Sequence, residues 1–93
     1  MSTADLIRER LAVLEPETFT LEDESAQHRG HAGAASGGGH FRLTLVSPKF
    51  RNLSTLARHR LVYETLGELM QREIHALSIK TYTPQEWESS RKA

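Results

Sequence analysis

His40-Phe41-Arg42-Leu43-Thr44-Leu45-Val46-Ser47 places Phe41, Leu43 and Leu45 at alternate positions, and Pro48 stops the run. Alternation of period two is the mark of a strand with one buried face. Ser54 or Thr55 then caps a helix. Leu56, Leu61, Val62, Leu66, Leu69 and Met70 mark that helix to about Arg72. A third run, Ile74 to Thr81, reads as a strand in which His75 shares a face with Leu77 and Ile79. Two strands joined by a helix of this length run parallel, with a right-handed crossover.

Upstream, Ser2, Thr3 or Asp5 caps a first helix whose Leu6, Ile7, Leu11 and Leu14 recur at helical spacing. Pro16 ends it, because the residue before a proline disfavours the α conformation. Thr18 to Glu24 alternates, with Phe19 and Leu21 on one face. Residues 25–39 read as a flexible loop holding Gly30, Gly33, Gly37, Gly38 and Gly39 with His28 and His31. A loop between adjacent strands makes them antiparallel. Downstream, Thr83-Pro84-Gln85-Glu86 is a helix start, with a capping threonine, proline at the first position and glutamate three after the cap. Residues 89–93 are expected to fray. The expectation is one α+β domain over 1–93, in the order α-β-β-α-β-α, around a three-stranded mixed sheet.

The 93 residues carry 12 basic and 12 acidic side chains and no cysteine. Zero formal charge gives no global pull on nucleic acid or anionic membranes. Without cysteine there is no disulfide and no thiol chemistry of the chain's own. No apolar run approaches the about 18 residues a membrane span needs. The first residues do not have the basic-then-apolar pattern of a signal peptide. A cytoplasmic protein, monomeric when isolated, is the expectation.

That topology has a chemical consequence. The end of the first strand, the start of the second and the start of the third lie at one edge, so His28, His31, His40 and His75 gather there. His59, at the start of the crossover helix, lies at the other end. Imidazole is a common ligand for borderline metals. Two or three imidazoles can hold zinc with water in the fourth place. Without a thiolate, the site is either all-imidazole or completed by another molecule. Each histidine also has a bland reading: His40 as a half-exposed surface residue, His75 as a satisfied histidine at the core rim, and His28 and His31 as solvent-exposed.

Several motifs taken together resemble the BolA family. They are Glu24-Ser25-Ala26-Gln27-His28, His40-Phe41-Arg42, Val46-Ser47-Pro48-Lys49-Phe50, Arg58-His59-Arg60-Leu61-Val62-Tyr63, Ile74-His75-Ala76-Leu77-Ser78 and Lys80-Thr81-Tyr82-Thr83-Pro84. Their order and spacing cover roughly residues 6–88. The resemblance implies a fold similar to the class II KH arrangement. It also implies a partner, a monothiol glutaredoxin, and a [2Fe-2S] cluster shared with it. The partner's cysteine and a bound glutathione would supply thiolates. On this resemblance His75 is one ligand from this chain and His28 the other, with His31 as substitute for His28. Imidazoles in place of thiolates on one iron resemble the Rieske arrangement.

Two other functions compete. KH-like folds bind nucleic acid, and some BolA proteins are described as transcriptional regulators. Lys49, Arg51, Arg58, His59 and Arg60 form a basic cluster around the start of the second helix, the candidate DNA surface. Such folds often use a Gly-x-x-Gly loop between helices. Residues 48–55 hold no glycine, and Gly30 and Gly33 lie in a different loop. Glu22, Asp23 and Glu24 beside the histidines would allow a hydrolytic zinc site, but no nucleophile is evident. A non-enzymatic role is expected.

Overall fold

The computed structural model describes residues 2–24 and 39–91. The expected loop, with His28 and His31, lies outside the described residues apart from its last position. Helix α1 spans Thr3–Leu11. Ser2 caps it reciprocally: its Oγ accepts from Asp5 N at 3.1 Å, and its own N donates to Asp5 Oδ2 at 3.3 Å. A 3-10 turn over Ala12–Leu14 follows, and Glu15 turns into the left-handed region at φ 50° ahead of Pro16.

Strands β1 (Thr18–Asp23), β2 (Gly39–Val46) and β3 (Ile74–Tyr82) form one sheet in that order. β1 and β2 pair antiparallel, and β2 and β3 pair parallel, as expected. Helix α2 spans Thr55–Leu66, a single helical turn α3 spans Leu69–Arg72, and α4 spans Pro84–Arg91. Ser54 caps α2, its Oγ accepting from Ala57 N at 3.1 Å. The core packs Ile7 and Leu11 of α1 and Val62 and Leu66 of α2 against Leu43 and Leu45 of β2. Each such fully buried side chain contributes about 1.5–3 kcal/mol. The opposite sheet face, with Thr20, Glu22, Arg42, Ser78 and Lys80, is exposed.

Four local expectations are corrected. The helix expected to run to Arg72 breaks at Gly67, whose φ 56° and ψ −128° suit a residue without Cβ. Gly39 belongs to β2 rather than to the loop. Residues 89–91 continue α4 instead of fraying. The polar connection expected over 49–54, with Phe50 and Leu53 in it, begins instead in a 3-10 turn over Pro48–Phe50 that drives Phe50 fully into the core.

The fifth correction concerns the site. β2 and β3 run in step from His40↔Ala76 to Val46↔Tyr82, but Gly39 pairs with Ile74. His75 is therefore an extra residue, a bulge in a parallel pair, where bulges are rare. Strict alternation puts His75 on the face of Leu77 and Ile79. The bulge instead gives that face to Ile74, which is 4% exposed and part of the core, and His75 is exposed.

Candidate functional site

Three chain segments meet where β2 begins. Glu24 N donates to His40 O at 2.7 Å, and Gly39 N donates to Glu73 O at 3.1 Å. These bonds tie the exit of β1, the entry of β2 and the turn before β3 into one edge. Gly39 is required there for space. A Cβ at this position would lie 2.6 Å from Phe41 Cζ and closer still to Cε2. The Phe41 ring, 4% exposed, closes the core beneath this edge.

On that edge the rings of His40 and His75 lie 4.9 Å apart, centroid to centroid, tilted by 40°. His40 is half-buried and His75 exposed. Nearby, Arg42 pairs with Glu24 at 3.4 Å. The expected gathering of histidines at one sheet end thus holds for His40 and His75, while His28 and His31 lie outside the described residues. Among the described residues no group of three or more His, Cys, Asp or Glu side chains is arranged to hold a metal ion. The chemistry of the donors is compatible with a metal whose other ligands come from elsewhere. Exposed imidazoles suit zinc or iron, and a chain without cysteine leaves every thiolate position to a partner. Below the same edge lies a cavity of about 350 Å³, lined by Ser2, Thr3, Ala4, Asp23, Gly39, Phe41, Arg72 and Glu73.

The basic cluster fares differently. Arg58 turns inward, only 9% exposed. Its Nε donates to Leu53 O at 2.9 Å, and its two terminal nitrogens donate to Glu86 Oε1 at 2.6 Å and Oε2 at 3.1 Å. Glu86 Oε1 also accepts from Thr83 N at 2.9 Å. Hydrogen bonding to Arg58, then to the Thr83 amide, pulls the Glu86 carboxyl down to about 2. The same bond raises the Arg58 guanidinium above its ordinary value. Arg58, proposed for DNA, is occupied as a clamp between α2 and α4 and is not presented to a phosphate. Lys49 pairs with Glu15 at 3.2 Å. His59 is half-buried, and Arg51 and Arg60 are exposed.

Sequence reasoning grouped His40 with the edge but had no reason to single it out. The pairing with His75 depends on the bulge, which no local pattern announces. The clamp was half visible: Thr83 and Glu86 read as a capping pair, but nothing in the sequence joined Arg58 to them.

Compared with known proteins, the model of the family described as "BolA-like protein" matches residues 11–86. A Vibrio cholerae protein named "DNA-binding transcriptional regulator BolA" is 42% identical over 85 residues, covering 90% of this chain and 77% of that protein. The Escherichia coli protein of the same name is 41% identical over 88 residues, covering 89% and 81%. Among solved structures, the BolA domain of SufE1 from Arabidopsis thaliana superposes with a TM-score of 0.80 at 41% identity, over 92% of this chain and 96% of that one.

Proposed function

The chain belongs to the BolA-like family, and from that premise we propose that it is a non-enzymatic adaptor for iron–sulfur trafficking or iron sensing. It docks on a monothiol glutaredoxin and lends imidazoles to a shared [2Fe-2S] cluster. His75 is the principal ligand. A second imidazole comes from the segment joining β1 to β2, where the family resemblance points to His28, with His31 as substitute. The partner's cysteine and a glutathione supply the thiolates that this chain lacks. The cluster supplies an electron-accepting iron pair, whereas this chain's residues bind and orient.

One observation carries the reading: the bulge that takes His75 off the core face and leaves it exposed at a sheet end. Bulges recur next to functional sites, where they re-aim a side chain. The test is optical. The purified chain is mixed with a cluster-loaded glutaredoxin homodimer, and a new chromophore is expected. His75→Ala should abolish that chromophore while leaving the apo fold unchanged; an identical spectrum from the variant would refute the assignment.

A second reading has support in the printed names of the bacterial relatives, DNA-binding transcriptional regulators. For this chain it rests on exposed Arg51 and Arg60, since Arg58 is committed to Glu86. Duplex DNA titrated at rising salt tests it. A specific regulator keeps Kd of about 10⁻⁸ M or tighter at physiological salt. Binding that vanishes there is non-specific.

A further inference from the structure

We infer that His40 and His75 form a chelating pair for one tetrahedral metal centre, so that His40 is a ligand in its own right and not a bystander of His75. This works at the site of the proposed function, where it gives His40 the place assigned there to His28, and it rests on that reading only for the identity of the natural occupant.

The geometry is the first argument. Two imidazoles bound to one tetrahedral ion through bonds of about 2.0–2.1 Å have ring centres roughly 5 Å apart. The His40 and His75 centroids are 4.9 Å apart, and the rings are tilted rather than stacked flat. The two residues come from hydrogen-bonded neighbouring strands, so the sheet sets the separation of the backbones that carry the rings.

The backbone is the second argument. His40 lies within β2, and its carbonyl accepts from Glu24 N. His75 is held between Ile74, anchored in the core, and Ala76, paired with His40. Both backbones are held before a metal arrives, so binding loses less conformational entropy than ordering a ligand on an unpaired segment would. The bulge is the third argument. A regular β3 would alternate His75 onto the face of Leu77, away from His40; the extra residue is what makes the two rings neighbours. A mere aromatic contact between neutral imidazoles would have a similar separation, and the experiment separates the two.

The probe is Co²⁺, added to the untagged 93-residue chain and followed by its visible ligand-field bands and by calorimetry. The two imidazoles displace water from the six-coordinate aqueous ion, and closing to a four-coordinate centre with two waters retained releases four waters in all. Losing even an outer-sphere partner weakens metal sites about 10–100-fold, so His40→Ala and His75→Ala should each weaken Co²⁺ binding by at least about tenfold. His59→Ala, which removes an imidazole of α2 that the pair does not use, should bind like the parent. Circular dichroism melts confirm that each variant is folded, and His40→Gln, which keeps much of the side chain's bulk, should lose affinity like His40→Ala. Co²⁺ affinity unchanged by His40→Ala, or absent from the parent chain, overturns the inference.

A second arm identifies the occupant. If His40→Ala also alters the spectrum of the mixed glutaredoxin complex, the pair serves an iron of the shared cluster. If only Co²⁺ binding is lost, the pair serves a lone divalent ion. Failure of the parent chain to form any mixed complex would sink the adaptor reading, yet leave the Co²⁺ result to decide the chelate on its own.

Discussion

Where β2 finishes, polar groups satisfy one another. Ser47 Oγ donates to Leu14 O at 2.6 Å and accepts from Lys49 N at 3.0 Å, Phe50 fills the core, and Arg58 grips Glu86 with two hydrogen bonds. Where β2 begins, two imidazoles stand side by side, one exposed and one half-buried, over a sheet edge secured by backbone bonds. The first end uses the Arg58–Glu86 pair internally to lock α2 to the start of α4. The second presents His75 to solvent beside His40. On the proposed reading, stability and binding are separated along one strand, and Arg58, committed to Glu86, belongs to the first. Among the described residues no helix is long and apolar enough to cross a membrane.

The comparison breaks first at Arg58. Arg58→Ala removes a bidentate ion pair and orphans the Leu53 carbonyl. A loss of about 2–3 kcal/mol is expected, read as the midpoint shift in urea unfolding; a shift under a third of that would make the clamp ornamental. At the opposite end, Gly39→Ala forces its new methyl against the Phe41 ring. Overpacking of this kind costs about 1–3 kcal/mol. The same variant should disturb the His40–His75 spacing, so metal affinity falls together with stability.

Glu86→Gln is milder, about 1 kcal/mol at neutral pH, because half of that side chain is solvated. Its pH dependence is the sharper readout. The folded carboxyl titrates near 2 against an ordinary 4.5, so the clamp's stabilisation is complete above about 4.5 and fades as pH falls toward 2. The parent should lose stability across that window relative to Glu86→Gln, and parallel curves would contradict the assignment. Smallest of all, His75→Ala and His40→Ala should move unfolding by less than about 0.5 kcal/mol. A large destabilisation from either would place that histidine with the clamp, as structure and not as site.

Much of this division is legible in the residues. Alternation in β2, the Pro48 stop, the capping serines and the Thr83/Glu86 pair all report local preferences, and the mixed sheet follows from the helix between β2 and β3. From there the clustering of His40 and His75 at one end is a matter of topology. What escapes is what depends on pairing. A bulge is a relation between two strands, and Ile74-His75-Ala76-Leu77 looks like any alternating run until Gly39 is seen opposite Ile74. Arg58 likewise reads as a solvated helix residue until α4 brings Glu86 beneath it. Gly67 was visible as a residue but not as a break, because a single glycine inside an apolar helical pattern is commonly tolerated.

The shift of one residue at His75 also bears on any attempt to move this site into another scaffold. Copying the two histidines at the positions of 40 and 75 onto parallel strands that lack the bulge would leave one of them facing the wrong layer. What has to be transplanted is a pair of backbone fragments, Gly39-His40 and Ile74-His75-Ala76, with their offset intact. Deleting Ile74 in this protein would amount to the reverse operation, returning the strand to a single rhythm, setting His75 opposite Gly39 and withdrawing it from its neighbour.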